Sequence, residues 1–473
     1  MYEDTIAAIA TSAGEAGIGI VRLSGRDALL ILRRVFRPAR KNGPIQGRRA
    51  EEASTAGSTS YRFESHHVYY GHAVDPSTDA LIDEVLAFCM LAPRSYTRED
   101  VVEIHCHGGP MPLQRVLLAT LQSGARLAMP GEFTLRAYLN GRIDLAQAEA
   151  VADVIRSKTD RGLSLSLKGL SGQLSHQVRA VRAEMVRLLA YLEATIDFSE
   201  DDIPEEDVEG PLVRCLDSVQ RLLATADQGI VYRQGVRVAI VGRPNVGKSS
   251  LLNALLRADR AIVTSVAGTT RDTLEETVSL SGVPVCLVDT AGIVESDELV
   301  ERLGVERSRR AIEEADICLM AVDRSAPLEQ GDREIATTLA GRTTVVVANK
   351  ADLPRAVRPE ELELLVAGSP VVETSTVAGT GFESLENAIL SFVLSGRAVQ
   401  SEELLVSNPR HKGILLRVES HLRDALTGFL AGLPADCTAS DLRFAMDALG
   451  EITGETSTED LLETIFSNFC IGK

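Results

Sequence analysis

The segment GRPNVGKSSL, residues 242–251, places two glycines and a lysine between an apolar run, VRVAIV, and a helix-like run, SSLLNALL. A strand, then G-x-x-x-x-G-K-S, then a helix is the pattern of a loop whose backbone N–H groups surround phosphates. Lys248 would contact the terminal phosphates, and the Ser249 hydroxyl would hold magnesium. The predicted phosphate-binding residues are Asn245, Val246, Gly247, Lys248, Ser249 and Ser250.

Two later segments fit the same chemistry. Asp289 to Gly292, DTAG, follows the apolar run VPVCLV, where the aspartate can hold the magnesium shell through water and a glycine N–H can meet a γ-phosphate. Residues 268–272, GTTRD, can close a threonine, Thr270, onto magnesium only when the γ-phosphate is present. The DTAG residues predicted to contact the nucleotide are Asp289, Thr290, Ala291 and Gly292.

A fourth segment identifies the base. Residues 349–352, NKAD, follow the run TTVVVA. The carboxylate of Asp352 can accept two hydrogen bonds from guanine, from N1–H and from the exocyclic amine, and adenine lacks both groups. Asn349 and Lys350 complete the motif. Four such segments in this order predict a guanine-nucleotide switch that hydrolyses GTP.

The residue that follows DTAG is Ile293, whose side chain cannot orient a water molecule. Hydrolysis must therefore use another residue. The candidates are Arg271, whose guanidinium could reach developing charge, and the acidic residues after DTAG. Those acidic residues are Glu295, Asp297, Glu298 and Glu301.

Around these motifs the sequence predicts a multidomain chain. Residues 1–136 mix strand-like and helical runs, which indicates an α+β domain, and residues 137–232 form long strand-free amphipathic stretches, which indicate an all-α domain. Residues 233–395 alternate apolar strands with helices, as in an inserted α/β P-loop (Ras-like) G domain. Residues 396–473 are helical again, and we expect them to pack back onto residues 137–230.

Composition limits the class of protein. The chain has 473 residues and a net charge of −18, so contact with RNA phosphates would need a local basic patch or a partner. Its seven cysteines are scattered without a C-x-x-C pair, which fits a reducing cytoplasm. We expect no membrane association, because no apolar run approaches ~20 residues.

Three further segments carry a family resemblance: GIGIVRLSG near the start, PGEFTLRAYLNGRIDLAQAEA at 130–150 and the terminal FCIGK. Together they resemble the MnmE family, also called TrmE. The resemblance implies a potassium-activated GTPase that works with an FAD-containing partner of the MnmG (GidA) type. Such proteins add a carboxymethylaminomethyl or aminomethyl group at carbon 5 of the wobble uridine of certain tRNAs. A reduced folate, 5-formyl- or methylene-tetrahydrofolate, supplies the carbon, and the nitrogen comes from glycine or ammonium.

The resemblance also implies roles for individual residues around GTP. The potassium ligands would be Asn245, Thr269 and the backbone carbonyls of Thr264 and Val266. Glu301 would position the attacking water through a second water, which is the role that Ile293 cannot fill. Arg271 is the candidate to stabilise the charge that develops during hydrolysis. The implied GTP-binding loop comprises Thr264, Ser265, Val266, Ala267, Gly268, Thr269 and Thr270, joined near the base by Ser375 and Thr376.

Outside the G domain, the implied folate contacts are Arg22, Glu103, Arg142 and the terminal Lys473. Cys470 could be a nucleophile or redox thiol, or only a small apolar filler. N-terminal domains of this family hold a homodimer, and with the MnmG-type partner a heterotetramer. The chain departs from the family pattern in Arg142, where lysine is frequent, and in Thr376, where alanine is usual.

A second hypothesis is a ribosome-assembly switch resembling Era or Der, in which GTP regulates RNA binding and no group is transferred. Such proteins carry a KH-like module with a basic G-x-x-G loop after the G domain. Residues 396–473 contain no such loop, and the N-terminal GIGIVRLSG segment would have no explanation. A vestigial nucleotide site is disfavoured, because Lys248, Ser249, Thr270 and Asp289 are all present.

Overall fold

A computed structural model of the chain describes residues 4–12, 14–39, 62–198, 204–258, 275–289, 310–394 and 405–472. The chain divides into two compact units: Met1–Glu149 with Thr456–Lys473, and Ala150–Glu455. This division differs from the expectation that all of 396–473 packs onto residues 137–230. The last helix belongs to the first unit, because the aromatic rings of Phe466 and Phe469 pack there beside Tyr138.

The first unit is built on a seven-stranded sheet. The strand bounds are β1 Ile6–Ile9, β2 Ala16–Ser24, β3 Phe36–Pro38, β4 His67–Val74, β5 Leu81–Met90, β6 Val101–Gly108 and β7 Arg126–Leu127. Their order is β3-β4-β5-β6-β2-β1-β7, and every pairing is antiparallel except that of β1 with β7. Arg22 of β2 is the register partner of Glu103 of β6.

Helices cover one face of this sheet. Helices α1 (Ala28–Val35) and α2 (Pro110–Gln122) bury Ile31, Leu32 and Val116 against Leu23 and Ile104 of the strands. Because side chains alternate along a strand, Arg22 and Glu103 lie on the opposite face. Helix α3 (Glu132–Leu139) reaches that other face near β1, and helix α15 (Glu459–Ser467) packs on α3.

Four charged groups hold α3 to the start of the chain. Arg136 is fully buried, and its guanidinium donates to Asp4 Oδ1 at 2.7 Å and to Glu132 Oε1 at 3.0 Å. It also lies 3.3 Å from Glu99 Oε2. Burial by itself would raise the pKa values of Asp4 and Glu132, but hydrogen bonds from Arg126 and Arg136 outweigh burial and lower both. The carboxyl groups of Asp4 and Glu132 are therefore ionised at neutral pH.

Replacing this buried arginine should destabilise the first unit. We expect Arg136→Met to lower the free energy of unfolding by about 3–5 kcal/mol, because the change leaves the buried Glu99 carboxylate without its arginine partner and Glu132 with Arg126 alone. Denaturant unfolding measures the loss, and Arg37→Ala, which removes an exposed ion pair with Asp79, should cost at most about 1 kcal/mol. Equal losses in the two variants would contradict a structural role for Arg136.

The same cluster predicts a pH dependence with a defined sign. A carboxyl group whose pKa is lower in the folded state stabilises the fold above its unfolded pKa, and that stability is lost as pH falls through the folded value. The unsubstituted chain should therefore lose stability below about pH 4. In Arg136→Met the loss across this range should be smaller, and urea unfolding at several pH values would measure it.

The second unit contains the G-domain sheet. Its strands are β8 Val236–Val241, β9 Glu275–Leu280, β10 Val283–Asp289, β11 Ile317–Asp323, β12 Thr344–Asn349 and β13 Val371–Glu373. The order is β13-β12-β11-β8-β10-β9. Strands β8, β10, β11, β12 and β13 run parallel, which confirms the α/β prediction. Strand β9 was not predicted, and it runs antiparallel to β10 across a tight turn at Ser281 and Gly282, which both have positive φ.

Helices lie on both faces of this sheet. Leu251 of α9 (Lys248–Ala258) and Leu385 of α12 (Phe382–Val393) pack in the core on one face. Ala336 of α10 (Gln330–Thr338) and Leu362 of α11 (Pro359–Glu363) pack in the core on the other. Burial on both faces explains why the strands read as continuous apolar runs.

The predicted all-α region forms a helical bundle in the same unit. Its helices are α5 Asp160–Leu170, α6 Gln173–Asp197, α7 Glu209–Ala224, α8 Ala226–Gln234, α13 Pro409–Leu430 and α14 Ala435–Thr453, while α4 (Leu145–Arg156) contains the boundary between units. Helix α14 packs on α13 and α6, and α13 packs on α7. Buried Met185, Val418 and Leu442 lie on these helices.

The helical bundle is joined to the tip of the β9–β10 hairpin. Thr159 Oγ1 donates to Gly282 O at 2.9 Å and accepts from Gly162 N at 3.1 Å, so one hydroxyl caps α5 and holds the turn. The Arg161 guanidinium carbon lies 4.0 Å from the ring centroid of Tyr232. Leu165 and Tyr232 belong to the same apolar core as the strands.

Within the described ranges, every helix is too short or too polar to cross a membrane.

Candidate functional site

The loop between β8 and α9 has the backbone that the phosphate-binding pattern requires. Asn245 has φ +64° and Gly247 has φ +99°. A Cβ at Gly247 would lie 2.3 Å from Asn349 Nδ2, so only glycine fits there. Asparagine is among the few non-glycine residues that adopt this conformation readily. The loop therefore presents the N-terminus of α9, with its N–H groups and positive dipole end, to an anion.

Lys248 is the first residue of α9, and its ammonium group turns back over the loop. Nζ donates to Gly242 O at 2.9 Å and to Arg243 O at 2.8 Å. These carbonyls hold the cation at the mouth of the loop, where a phosphate would compete for it. Ser249 is the next residue of the helix, so its hydroxyl oxygen belongs to the same helix N-terminus.

The motif predicted to read the base, residues 349–352, contacts the predicted phosphate loop directly. Asn349, at the end of β12, is buried, and its Nδ2 donates to Val246 O at 3.0 Å. Its Oδ1 accepts from Thr374 Oγ1 at 3.3 Å. Lys350 Nζ lies 2.6 Å from Asp323 Oδ2. Burial would raise the pKa of Asp323, but the hydrogen bonds from Lys350 and Ser325 together outweigh burial and lower that pKa. The two motifs form one connected site.

Asp352 is exposed, and its carboxylate accepts a hydrogen bond from the Ser375 hydroxyl. Ser375 is fully buried, and its N–H donates to Thr380 O at 3.0 Å. Because that N–H is occupied, Thr376 is the member of the predicted pair that we expect to offer its N–H to a base. The serine hydroxyl fixes one carboxylate oxygen of Asp352 at the rim of the site.

Several predicted nucleotide residues lie outside the described residues. The backbone of Asp289 ends β10, at the same edge of the sheet as the end of β8, but its side chain is not described. The predicted residues that lie outside are Thr264, Ser265, Val266, Ala267, Gly268, Thr269, Thr270, Arg271, Thr290, Ala291, Gly292 and Glu301.

A second polar cluster lies in the first unit, on the sheet face opposite α1 and α2. Arg22 Nε donates to Glu103 Oε1 at 2.9 Å, and Arg22 Nη1 donates to Gly472 O at 3.0 Å. His105 Nε2 lies 3.3 Å from the other carboxylate oxygen of Glu103. The cross-strand register therefore pairs two of the predicted folate residues and brings the chain end to them.

Tyr96 joins Arg142 to this cluster. The Arg142 guanidinium carbon lies 4.8 Å from the Tyr96 ring centroid, and Nη1 donates to Tyr96 O at 3.2 Å. Arg22 lies 6.0 Å from the same ring, and the Tyr96 hydroxyl lies 2.9 Å from Thr134 Oγ1. Burial raises the pKa of Tyr96, so its hydroxyl stays protonated at neutral pH. Stacking on a ring suits the planar guanidinium present at position 142.

Three of the four predicted folate residues are therefore close together, and the fourth, Lys473, lies outside the described residues. Cys470 is exposed, and its backbone oxygen accepts from Gly131 N at 3.4 Å. Tyr96 and the Gly472 carbonyl were not predicted. An aromatic residue without a motif around it gives no sequence signal, and a backbone carbonyl gives none either.

Comparison with known proteins places the chain in one family. A family model described as "MnmE helical domain" matches residues 145–470, and one described as "GTP-binding protein TrmE N-terminus" matches residues 5–142. Among solved structures, Era from Aquifex aeolicus bound to GDP.AlF4- is 28% identical over 39% of this chain and 66% of that chain, with a TM-score of 0.27.

Three full-length relatives are named "tRNA modification GTPase MnmE". The protein from Roseiflexus sp. (strain RS-1) is 49% identical and covers 100% of both chains. That from Chloroflexus aurantiacus is 51% identical over 99% of this chain and 100% of its own, and that from Geobacter sulfurreducens is 49% identical over 100% of both. With identity of this level along the whole length, the chain belongs to the MnmE family, also called TrmE.

Proposed function

We propose that the chain is a GTPase that modifies carbon 5 of the wobble uridine of certain tRNAs, together with an FAD-containing partner of the MnmG type. The observation that supports the nucleotide chemistry best is the hydrogen bond from Asn349 Nδ2 to Val246 O. It joins a guanine-reading motif to a phosphate-binding loop. The relatives' printed name supports tRNA as the substrate.

The residues of the loop bind and orient the triphosphate. The N–H groups at the start of α9 donate to phosphate oxygens, and Lys248 exchanges its bonds to the Gly242 and Arg243 carbonyls for bonds to the terminal phosphates. Asp352 accepts from the guanine edge. In this arrangement the chain supplies positioning and electrostatic stabilisation, which are the main protein contributions to phosphoryl transfer.

The donor set at the loop fits two cations. Hydroxyl oxygens suit Mg²⁺, and Ser249 at the helix start would hold it with Thr270. The amide oxygen of Asn245 suits K⁺, and Thr264, Val266 and Thr269 would complete that site. When bound, these cations neutralise charge on the phosphates. Glu301, acting through a second water, and Arg271 remain our proposed catalytic residues.

The first unit is proposed to bind a reduced folate. Arg22 and Arg142 offer guanidinium groups to the carboxylates that a folate carries, and Tyr96 holds both guanidiniums near one ring. Glu103 is mostly buried and paired with Arg22, so it can accept hydrogen bonds from a ligand's ring nitrogens. Lys473 and Cys470 are proposed to act beside them, with the cysteine as nucleophile or redox thiol.

A homodimer through the first unit is supported by an apolar patch, exposed among the described residues, on the sheet face that carries Arg22. Val68 is 59% exposed, and Tyr70 and Leu86, directly opposite each other on β4 and β5, are 45% and 43% exposed. Large apolar side chains exposed together on one face are typical of an interface. Light scattering on the purified chain measures its mass, and the mass of a single chain at micromolar concentration would contradict the dimer.

The acidic chain is proposed to act in the cytoplasm and to leave much of the RNA contact to its partner, because a net charge of −18 repels phosphates. The decisive experiment removes the gene from its host and measures wobble-uridine modification by mass spectrometry of tRNA. We expect modified uridine to disappear, to return with the intact gene, and to stay absent with Lys248→Ala. Modified uridine that persists in the deletion strain would contradict the tRNA assignment.

Folate binding by the first unit is a separate prediction. We expect Arg22→Ala to weaken binding of 5-formyl-tetrahydrofolate about 30-fold, or ~2 kcal/mol, because a charge-assisted hydrogen bond is lost and Glu103 loses its partner. Isothermal titration calorimetry measures the dissociation constant. Arg26→Ala, which changes an arginine with a mostly exposed side chain on the same unit, should bind as the parent does. Parallel losses in both variants would count against the proposed folate site.

A further inference from the structure

We infer that Arg243, the second residue of the phosphate loop, is a positioning residue that sets nucleotide affinity by tying the loop to the start of α10. This inference rests on nucleotide binding at the loop and assigns a role to a residue whose side chain contacts carboxylates at the start of α10. Arg243 Nε donates to Asp332 Oδ1 at 3.2 Å, and Nη1 forms an ion pair with Glu329. Two nitrogens of one guanidinium therefore contact two carboxylates.

The start of α10 is a firm anchor for this contact. Asp332 is almost fully buried, and its other oxygen accepts from Glu329 N at 3.0 Å, which closes a capping box at the helix N-terminus. A Cβ at Gly331 would lie 2.9 Å from Arg243 Cδ, so the arginine stem lies directly against a glycine. The capping box therefore orients these carboxylates independently of their contact with Arg243.

The loop is then fixed from three sides. A Cβ at Gly242 would lie 2.4 Å from Ala321 O of β11, Arg243 is held by α10, and the Val246 carbonyl is held by Asn349. The Arg243 carbonyl also accepts from Lys248 Nζ. Fixing the arginine side chain therefore fixes a carbonyl that Lys248 must release when phosphate binds.

The energetic consequence concerns binding more than chemistry. A loop that is already ordered loses less conformational freedom when it closes on phosphates, and each residue left free would cost about 1–2 kcal/mol to order. Without the Arg243 side chain, the described contacts hold residues 243–245 at their two ends and through the bond from Lys248 to the Arg243 carbonyl, which phosphate would displace. The nucleotide must then order them, which weakens its affinity while leaving the catalytic groups unchanged.

The test compares full-length chains with single substitutions. We expect Arg243→Ala to raise the dissociation constant for GDP about tenfold, and the KM for GTP in step, while kcat changes less than about twofold. Competition against a fluorescent guanine nucleotide gives the constant. Arg333→Ala changes an exposed arginine on the same helix, α10, and should bind GDP as the parent does.

Further variants separate positioning from loss of folding. Partial unfolding lowers the amount of nucleotide bound at saturation, whereas loss of the contact between Arg243 and α10 raises the dissociation constant. One titration therefore distinguishes the two effects. Arg243→Lys and Glu329→Gln keep the fold and remove only part of the contact, and both should weaken GDP binding by less than Arg243→Ala. In a double-mutant cycle, Glu329→Gln should add little to Arg243→Ala.

A dissociation constant for Arg243→Ala within twofold of the parent value would overturn the inference. A variant that only binds less nucleotide at saturation, or only has a lower kcat, would overturn it too. Should Arg243→Ala not fold, the same limits apply to Arg243→Lys. GDP binding by the unsubstituted chain, measured first, tests the nucleotide site itself. The ratio of the variant's dissociation constant for GDP to the parent's tests the positioning role of Arg243.

Discussion

Asp352→Asn is expected to exchange guanine for xanthine as the preferred base. In the proposed function the carboxylate accepts two hydrogen bonds from guanine, and its loss should weaken GTP binding roughly a hundredfold at ~1.5 kcal/mol for each charge-assisted bond. The new amide donates an N–H to the 2-oxo group of xanthine, so binding of XTP should become tighter than that of GTP. Nucleotide competition measured with both triphosphates reports the exchange.

The structure supplies a matched control for this prediction. Ser375 donates its hydroxyl to Asp352 but does not belong to the NKAD motif. Ser375→Ala leaves the carboxylate in place and frees its orientation, so GTP binding should weaken by less than about tenfold with no gain of xanthine binding. Unchanged guanine preference in Asp352→Asn would mean that another residue reads the base.

GTP hydrolysis by the unsubstituted chain should be at least tenfold faster in KCl than in NaCl at equal ionic strength. A monovalent cation beside the phosphates stabilises charge that develops in the transition state, and one such contact is typically worth about 10²–10³ in kcat. Asn245 has the left-handed backbone, φ +64°, and its side chain carries an amide oxygen of the kind that binds K⁺. Asn245→Ala should therefore lower the rate in KCl to the rate in NaCl.

Rates measured with one preparation in the two salts check this directly. Lys248→Ala should be inactive in both salts, because it removes a phosphate contact rather than a cation ligand. Asn245→Ala should keep most of its affinity for GDP, so that its loss appears in kcat. Equal rates of the unsubstituted chain in KCl and NaCl would contradict the potassium site.

Much of the fold follows from local pattern. The parallel strands of the G domain are buried on both faces, so runs such as VRVAIV and VVVA are recognisable without knowledge of their neighbours. Strand β9, EETVSL, was not predicted from the sequence, because it begins with two glutamates and only Val278 and Leu280 face the core. From sequence, the last helix was expected to join the helical bundle. Helical periodicity shows which face of a helix is buried, but it does not identify the element against which that face packs.

The candidate sites also contain a part that the sequence predicts and a part that it does not. Residues 245–250 and 349–352 are contiguous motifs, and their chemistry could be inferred from residue type and order. The contact of Arg22 with Gly472 joins residues far apart in sequence, as does that of Arg243 with Asp332. Sequence spacing gives no information on such contacts. Only the resemblance to a family connected Arg22 with the chain end.

The attachment of the β9–β10 hairpin limits how this part of the G domain can move. Valines and leucines alternate into the core along both strands, so a slip by one residue would expose them, and the smallest allowed slip is two residues, or ~7 Å. Thr159 and Arg161 hold the tip against the helical bundle. We therefore expect a displacement at the open end of the hairpin, beside Asp289, to reach the helices as a rotation about the held tip rather than as a slide along the strands.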